Sequence, residues 1–356
     1  MAFRALLKRA FAEGNYAYAC ARVKAKKAKL FDKPTIQRMV LMDIVEINRF
    51  IGESVYRKEM DELSAKYSGI DLLEYATSMN LARTYRSILG YTSGELRDMV
   101  QHYLQRWDVW NIKTIIRGKV YGATYDEVVE DLVPAGRYGM DELVPMIHAP
   151  AIDEVIAELK GTEYHQPLLI AFMEDPANLA LMEDALDKTY YSFLLSSIPS
   201  TNRPNKLLLL FVRKEIDIMN LKTLLRLKHE EVSGEKIITY TIPGGYEFAE
   251  NDLRKLATSE NFDESLNELK EYRLYDAVKE TIDTIATHHT LNYVLGALEK
   301  HLILSAEKFA RLYPLSVLPI LDYILRKENE VDNIRIIARG KERGLDEGAI
   351  KSMILV

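Results

Sequence analysis

The chain has 356 residues, 48% hydrophobic and 28% charged, and a net charge of −6, the composition of a folded globular protein with apolar surface for one large core or several smaller ones. The acidic balance argues against nucleic acid as the main partner, because phosphate binding takes a cationic surface. Cys20 is the single cysteine, which rules out an intrachain disulfide and suits a reducing setting.

The charge is uneven. Residues 1–33 hold nine Lys or Arg and two acids (Glu13, Asp32), which leaves −13 on the remainder. Such a basic arm fits a solvated helix face first, and otherwise a membrane surface or an acidic partner. The N-terminal stretch carries charges throughout and has no clean apolar block, so it does not read as a secretory signal. The longest uncharged apolar run of the last third, LYPLSVLPIL (Leu312–Leu321), is about half the ~20 residues a span needs and contains Pro314 and Pro319. Any membrane role is therefore expected to be peripheral.

The apolar periodicity is helical nearly everywhere. In chain order it predicts helices over 4–31, 35–65, 70–89, 93–121, 124–131, 140–146, 150–160, 166–173, 176–197, 204–230, 249–257, 262–269, 272–286, 290–310, 315–341 and 345–354. Breaks carry Gly or Pro, as in GYTSG (90–94), SSIPSTNRP (196–204) and YTIPGGY (240–246). EKIITYTI (235–242) is a weak strand candidate and reads better as a short link. The fold class is all-α.

A threefold repeat organises these helices. DVWNIKTIIR (108–117) returns as DIMNLKTLLR (217–226) and as EVDNIRIIAR (330–339), with Lys two residues further on each time (Lys119, Lys228, Lys341). The motif asparagines Asn111, Asn220 and Asn333 are almost evenly spaced. The flanks agree: IDEVIAELK (152–160) resembles FDESLNELK (262–270), and VPAGRYGMDEL from Val133 resembles IPGGYEFAENDL from Ile242. A unit of about 109 residues is too long for the usual helical solenoids, whose periods run roughly 30–50 residues. Three whole domains are expected: 1–133, 134–242 and 243–356.

The motif helix has one odd feature. Wound at the helical period, its aliphatic residues gather on one side, and the acid three residues before Asn falls among them. The motif's own Lys and Arg fall on the far side, out of the acid's reach. A carboxylate left unpaired in a core costs several kcal/mol or stays protonated. The preceding helix of each copy offers a cation at a fixed place. The expected buried locks are Asp108 with Arg83, Asp217 with Lys188, and Glu330 with Lys300, with Asn111, Asn220 and Asn333 fastening loop backbone beside them. Buried acid–base pairs also mark active sites, but a lock repeated in every copy serves folding.

Catalytic constellations are not apparent. The phosphate-cradling pattern G-x-x-x-x-G-K-[ST] does not occur, and GGY (244–246) is a turn signal rather than a dinucleotide fingerprint. His288 and His289 are adjacent, about 100° apart on a helix, whereas metal ligands on one helix prefer i, i+3 or i, i+4. No metal, no cofactor and no enzymatic activity are expected.

Taken together, the repeated Asn-aliphatic-basic helix, the PAG and PGG turns and the opening NYAYACARVKAKKAKL resemble the C subunit of the archaeal-type (A-type or V/A-type) ATP synthases, whose eukaryotic relative is the d subunit of the vacuolar proton pump. The resemblance covers the whole chain. It implies an all-α funnel of three similar domains about a pseudo-threefold axis, seated peripherally on the cytoplasmic face of a membrane rotor ring of proteolipid subunits. The central shaft, built from the D and F subunits, inserts into the funnel, and the socket itself hydrolyses nothing. It links shaft to ring and passes torque for ATP synthesis coupled to ion (hydrogen ion) transport. The third copy departs from the others with Ile336 where they have Thr, and Asp332 where they have Trp110 or Met219. Turns before each motif helix are the expected partner surfaces: Thr92, Ser93 and Glu95; Ser200, Asn202 and Asn205; Leu315 and Ser316. Two other readings stay open at the level of sequence. A helical-repeat adaptor predicts an open superhelix with a concave groove, and an all-α enzyme predicts a single pocket unmatched in the other copies.

Overall fold

The computed structural model of the protein describes residues 14–200, 202–288 and 290–355. The start of the helix expected over 4–31 and one of the paired histidines, His289, lie outside the described residues. Every regular element among the described residues is a helix. In order they are α1 (Tyr16–Lys27), α2 (Lys33–Met39), α3 (Ile44–Gly52), α4 (Arg57–Leu63), α5 (Gly69–Tyr91), α6 (Gly94–Leu104), α7 (Arg106–Tyr121), α8 (Tyr125–Asp131), α9 (Met140–His148), α10 (Ile152–Glu158), α11 (His165–Glu174), α12 (Leu179–Ser197), α13 (Arg203–His229), α14 (Gly234–Thr239), α15 (Glu250–Thr258), α16 (Phe262–Leu269), α17 (Tyr275–Val278), α18 (Asp283–His288), α19 (Asn292–Leu312), α20 (Leu318–Glu342) and α21 (Glu347–Met353).

The sequence-based helices differ from these in three informative places. The helix expected over 35–65 is three helices. Its second piece starts at Asp43, whose side chain accepts from the Glu46 N–H while Glu46 reaches back to the Asp43 N–H. That capping box satisfies two backbone donors and outcompetes the apolar period that runs through it. The helix expected over 93–121 breaks at Gln105, with no Gly or Pro to announce it. The strand candidate EKIITYTI forms α14 and then extends to Ile242, because Ile237 buries completely in a helical core.

The chain packs as two compact units, one of residues up to Leu186 together with those from Tyr313 on, the other Asp187–Leu312. Packing thus divides the chain differently from the sequence repeat. In the first unit α20 lies against α5 and α1. Its N-terminal third, LPILDYIL, is buried on every side, as a helix enclosed by its neighbours requires. Cys20 on α1 is buried there, donates to the Ser316 carbonyl at 3.3 Å, and has its thiol pushed up to about 11 by burial. In the second unit α13 carries the core. Leu221, Leu224 and Leu225 of the motif pack with Ile237, Leu256 and Leu298.

Truncating that core should cost what a closed cavity costs. Leu224→Ala, at a fully buried position, should lower unfolding free energy by about 2–5 kcal/mol. Leu304→Ala, exposed in the same unit, should stay within about 0.5 kcal/mol. Urea unfolding followed by circular dichroism distinguishes the two.

Candidate functional site

The repeated residues converge on one arrangement. Asn111, buried on α7, accepts from the Val133 N–H at 2.8 Å and donates to the Val133 carbonyl at 2.8 Å. Asn220, buried on α13, accepts from the Ile242 N–H at 2.7 Å and donates to the Ile242 carbonyl at 2.8 Å. Asn333, buried on α20, accepts from the Leu355 N–H and donates to the Leu355 carbonyl, both at 2.9 Å. The partner is the backbone residue 22 positions later in each copy. A side-chain amide has the shape of a peptide group, so it satisfies both polar groups of one extended residue, as a neighbouring strand would.

The acid one turn earlier does related work. Asp108 is fully buried and accepts the N–H of Arg137 at 2.9 Å and of Tyr138 at 2.9 Å. Asp217 accepts the N–H of Tyr246 (3.0 Å), Glu247 (2.8 Å) and Phe248 (3.3 Å). The PAG and PGG turns explain why backbone can come so close. A Cβ on Gly136 would overlap the Asp108 carboxylate, and one on Gly245 would overlap that of Asp217. Glycine is therefore required there for lack of space rather than for backbone freedom.

Glu330, the third acid, is held differently. It accepts from the Phe31 N–H at 2.6 Å, the Tyr56 hydroxyl at 2.7 Å and Lys327 Nζ at 2.8 Å. Lys327 is itself almost wholly buried, and its Nζ lies 3.9 Å from the Tyr56 ring centroid. Burial pulls the Lys327 amine down, and the Glu330 charge opposes this.

The cation locks expected from sequence are not the ones formed. Arg83 pairs with Glu59 at 2.8 Å and Glu62 at 2.9 Å, joining α5 to α4, and Asp108 takes backbone donors in its place. Lys188 donates to the Thr239 carbonyl, and Asp217 is satisfied by the 246–248 backbone. Glu330 finds its cation on its own helix, Lys327, where Lys300 was expected. Lys327 lies one turn before the acid, outside the shared motif, and the equivalent positions hold Gln105 and Lys214, so the three copies share no common cation there to mark it as a partner. Backbone donors leave no trace at all, because nothing in a sequence marks an N–H as free.

In the first two copies the motif's trailing Lys closes off the end of another helix. Lys119 donates to the Ile147 carbonyl at the end of α9. Lys228 donates to the Ala257 carbonyl at 2.9 Å and to that of Ser259, at the end of α15. Each cation thus satisfies carbonyls that the following copy's first helix leaves open, at the negative end of its dipole. On the polar face, Arg117 forks onto Glu183 at 2.6 and 2.7 Å, and Arg339 pairs with Glu74.

The turn residues expected to form partner surface divide by burial. Thr92 is buried and donates to the Ile88 and Leu89 carbonyls at 3.0 and 3.2 Å. Asn205 is fully buried, and Ser316 is buried with its hydroxyl on the Tyr313 carbonyl at 2.7 Å. Thr92 and Ser316 turn inward because short polar side chains bond the backbone of the turn or helix end they sit on, Asn205 is enclosed in the first turn of α13, and none of the three offers surface to a partner. Ser200 and Leu315 are exposed, and Ser93, Glu95 and Asn202 are half-buried. Among the described residues no cluster of His, Cys, Asp and Glu has metal-holding geometry, and no helix is long and apolar enough to cross a membrane.

The clamps can be tested by stability and by pH. Asn111→Ala and Asn220→Ala each strand a buried N–H and a buried carbonyl, so each should cost about 2–4 kcal/mol, and Gly136→Ala about 1–3 kcal/mol by overpacking the carboxylate. Hydrogen exchange should accelerate at Val133 in the first variant and Ile242 in the second. As for pH, burial pushes the Asp108 carboxyl up to about 7, against the two N–H bonds that pull it down. The folded chain thus holds this proton more tightly than the unfolded chain, whose value is near 3.8. Its contribution is fully present below the unfolded value and is lost as pH rises through about 7. Glu130, also raised, titrates in the same range, so the readout is a difference. The stability advantage of the wild type over Asp108→Asn should shrink from about pH 4 to about pH 8.

Known proteins resemble this chain along nearly its whole length. A family model described as ATP synthase (C/AC39) subunit matches residues 19–353. The chain is 41% identical over 344 residues to the C subunit of the A-type ATP synthase of Methanosarcina acetivorans, covering 96% of this chain and 93% of that one. It is 40% identical over 341 residues to the protein of that name in Archaeoglobus fulgidus, covering 96% of each. With the protein of that name in Methanococcoides burtonii it shares 38% over 352 residues, 98% of this chain and 97% of the other. The chain belongs to the ATP synthase (C/AC39) subunit family.

Proposed function

We propose that the chain is a non-catalytic central-stalk subunit of an A-type ATP synthase, a socket that receives the D and F subunits of the shaft, rests peripherally on the cytoplasmic face of the membrane rotor ring, and passes torque between them. In this reading the three sequence copies, 1–133, 134–242 and 243–356, stand about a pseudo-threefold axis as a funnel. The observation that carries it is the family match over residues 19–353. The clamps support a mechanical role. A torque-bearing part works only if its internal packing yields less than its joints, and each motif helix is tied by paired hydrogen bonds to backbone 22 residues away. Interiors packed this way deform little. The exposed Leu315 and Ser200, with half-buried Ser93, Glu95 and Asn202, are the turn residues proposed to meet partners.

Affinity purification of the tagged full-length chain from native membranes tests the assignment. Shaft subunits and ring proteolipids should both co-purify. Recovery of the chain without either, from membranes in which the synthase is intact and active, overturns it. Leu315→Asp should reduce recovery of one partner while leaving the unfolding free energy within about 0.5 kcal/mol of wild type.

A further inference from the structure

Six residues before each motif Asn the copies carry Gln105, Lys214 and Lys327. Lys327 has internal acceptors in Glu330 at 2.8 Å and the Tyr56 hydroxyl at 2.7 Å. Lys214, at the equivalent place on α13, has none. Asp217 is the acid beside it, but the carboxylate is taken by the backbone N–H groups of residues 246–248. Lys214 Nζ stands 5.1 Å from the Tyr246 ring centroid and 5.9 Å from that of Phe309, and makes no hydrogen bond or ion pair among the described residues.

What Lys214 faces is a cavity of about 130 Å³ in the Asp187–Leu312 unit, lined also by Arg273, His301 and Ser305. The Arg273 guanidinium and the His301 ring likewise have no hydrogen-bond or ion-pair partner among the described residues. The other acid in the wall, Glu247, accepts the Arg273 backbone N–H. Burial first, then the Lys214 charge, holds the His301 ring below its usual value, with Glu247 opposing and Lys308 adding to the shift. Two cations without an acceptor, Lys214 and Arg273, and the His301 ring thus line one cavity, whereas Lys327 of the third copy has Glu330 as its acceptor. The surroundings of the motif helix one copy earlier do not repeat this. Gln105 is neutral, and the residue aligned with Arg273 is Glu163, which faces Arg137 at 3.6 Å.

We propose that this cavity binds a free tetrahedral oxyanion, of which inorganic phosphate is the representative. The donors come from three directions: Lys214 from α13, Arg273 from the turn before α17, and His301 with Ser305 from α19. A planar carboxylate serves the Arg fork well but leaves donors arriving out of its plane unused, whereas a tetrahedral dianion accepts from all of them. The volume holds one small anion and is well below the roughly 300 Å³ at which pockets for nucleotide-sized ligands begin. The assignment does not depend on the proposed place of the chain in the synthase.

Titration calorimetry of the full chain with inorganic phosphate, at constant ionic strength set with chloride, tests it. Saturable one-site binding is expected, with acetate weaker. Arg273→Glu and Lys214→Gln should each weaken phosphate binding about tenfold or more, the cost of losing a charge-assisted hydrogen bond. Lys279→Gln, an exposed cation paired with Asp276 outside the cavity, should bind as wild type. Arg273 is exposed and its side chain is bonded to nothing among the described residues, so its replacement leaves folding intact. As a second readout, phosphate should raise the melting midpoint of wild type and Lys279→Gln but not of Arg273→Glu. Absence of saturable binding, equal binding by wild type and Arg273→Glu, or acetate binding as tightly as phosphate overturns the proposal.

Discussion

The structure depends on a side-chain amide standing in for a strand. Each motif asparagine is buried on a mostly apolar face of its helix, with the acid one turn earlier beside it, and each closes both hydrogen bonds of a single backbone residue 22 positions later. The intervening chain is a helix and a turn that would otherwise end with a buried N–H and carbonyl unsatisfied, a cost of about 1–3 kcal/mol for each group. An all-α chain has no sheet to absorb such segments. The asparagine lets an extended residue enter the core and leave it again without a ladder.

The neighbouring carboxylate follows from the same constraint. Once the extended residue is fixed, the turn after it presents two or three N–H groups in a row to the helix. A carboxylate is acceptor-only and suits such a nest of donors. Gly136 and Gly245 are the steric condition for the arrangement, and Lys119 and Lys228 extend it to the helix beyond by satisfying its terminal carbonyls. Asn, acid, Gly and Lys are therefore one device read out along two turns of helix and one loop. Its recurrence is why the repeat survives where the intervening sequence has drifted.

That device is half legible in the sequence. The repeat, the buried phase of the acid and the all-helical class come directly from spacing, because periodicity near 3.6 is a property of residue order alone. The partners do not. The charges after Asp108 lie on the wrong face, so spacing points to a cation in the preceding helix, and Arg83 is the recurrent choice. Arg83 serves Glu59 and Glu62 instead. The actual donors at residues 137 and 138 are peptide groups, which every residue but proline carries, and no letter distinguishes a free one. The break at Gln105 is invisible for a like reason: the equivalent positions in α13 and α20 run straight through, so local composition does not decide it. Thr92, Asn205 and Ser316 read as exposed turn polars and are buried, the Thr92 and Ser316 hydroxyls serving backbone carbonyls close by in sequence before they serve solvent.

Tandem copies that share a device are free to differ wherever the device does not reach, and the position six before Asn shows how far that goes. It is neutral in the first copy, a satisfied cation in the third and a cation without an internal acceptor in the second. The difference traces to one methylene and one choice of donor. Glu330 reaches back to Lys327 on its own helix, whereas Asp217, shorter and already saturated by backbone, leaves Lys214 to the aromatic rings of Tyr246 and Phe309. A buried or half-buried ammonium near two rings keeps part of its stabilisation through the ring quadrupole, which is how the second copy tolerates a charge the third had to neutralise. Stability was thus secured by the shared clamp, and the positions around it became available for properties that only one copy needs.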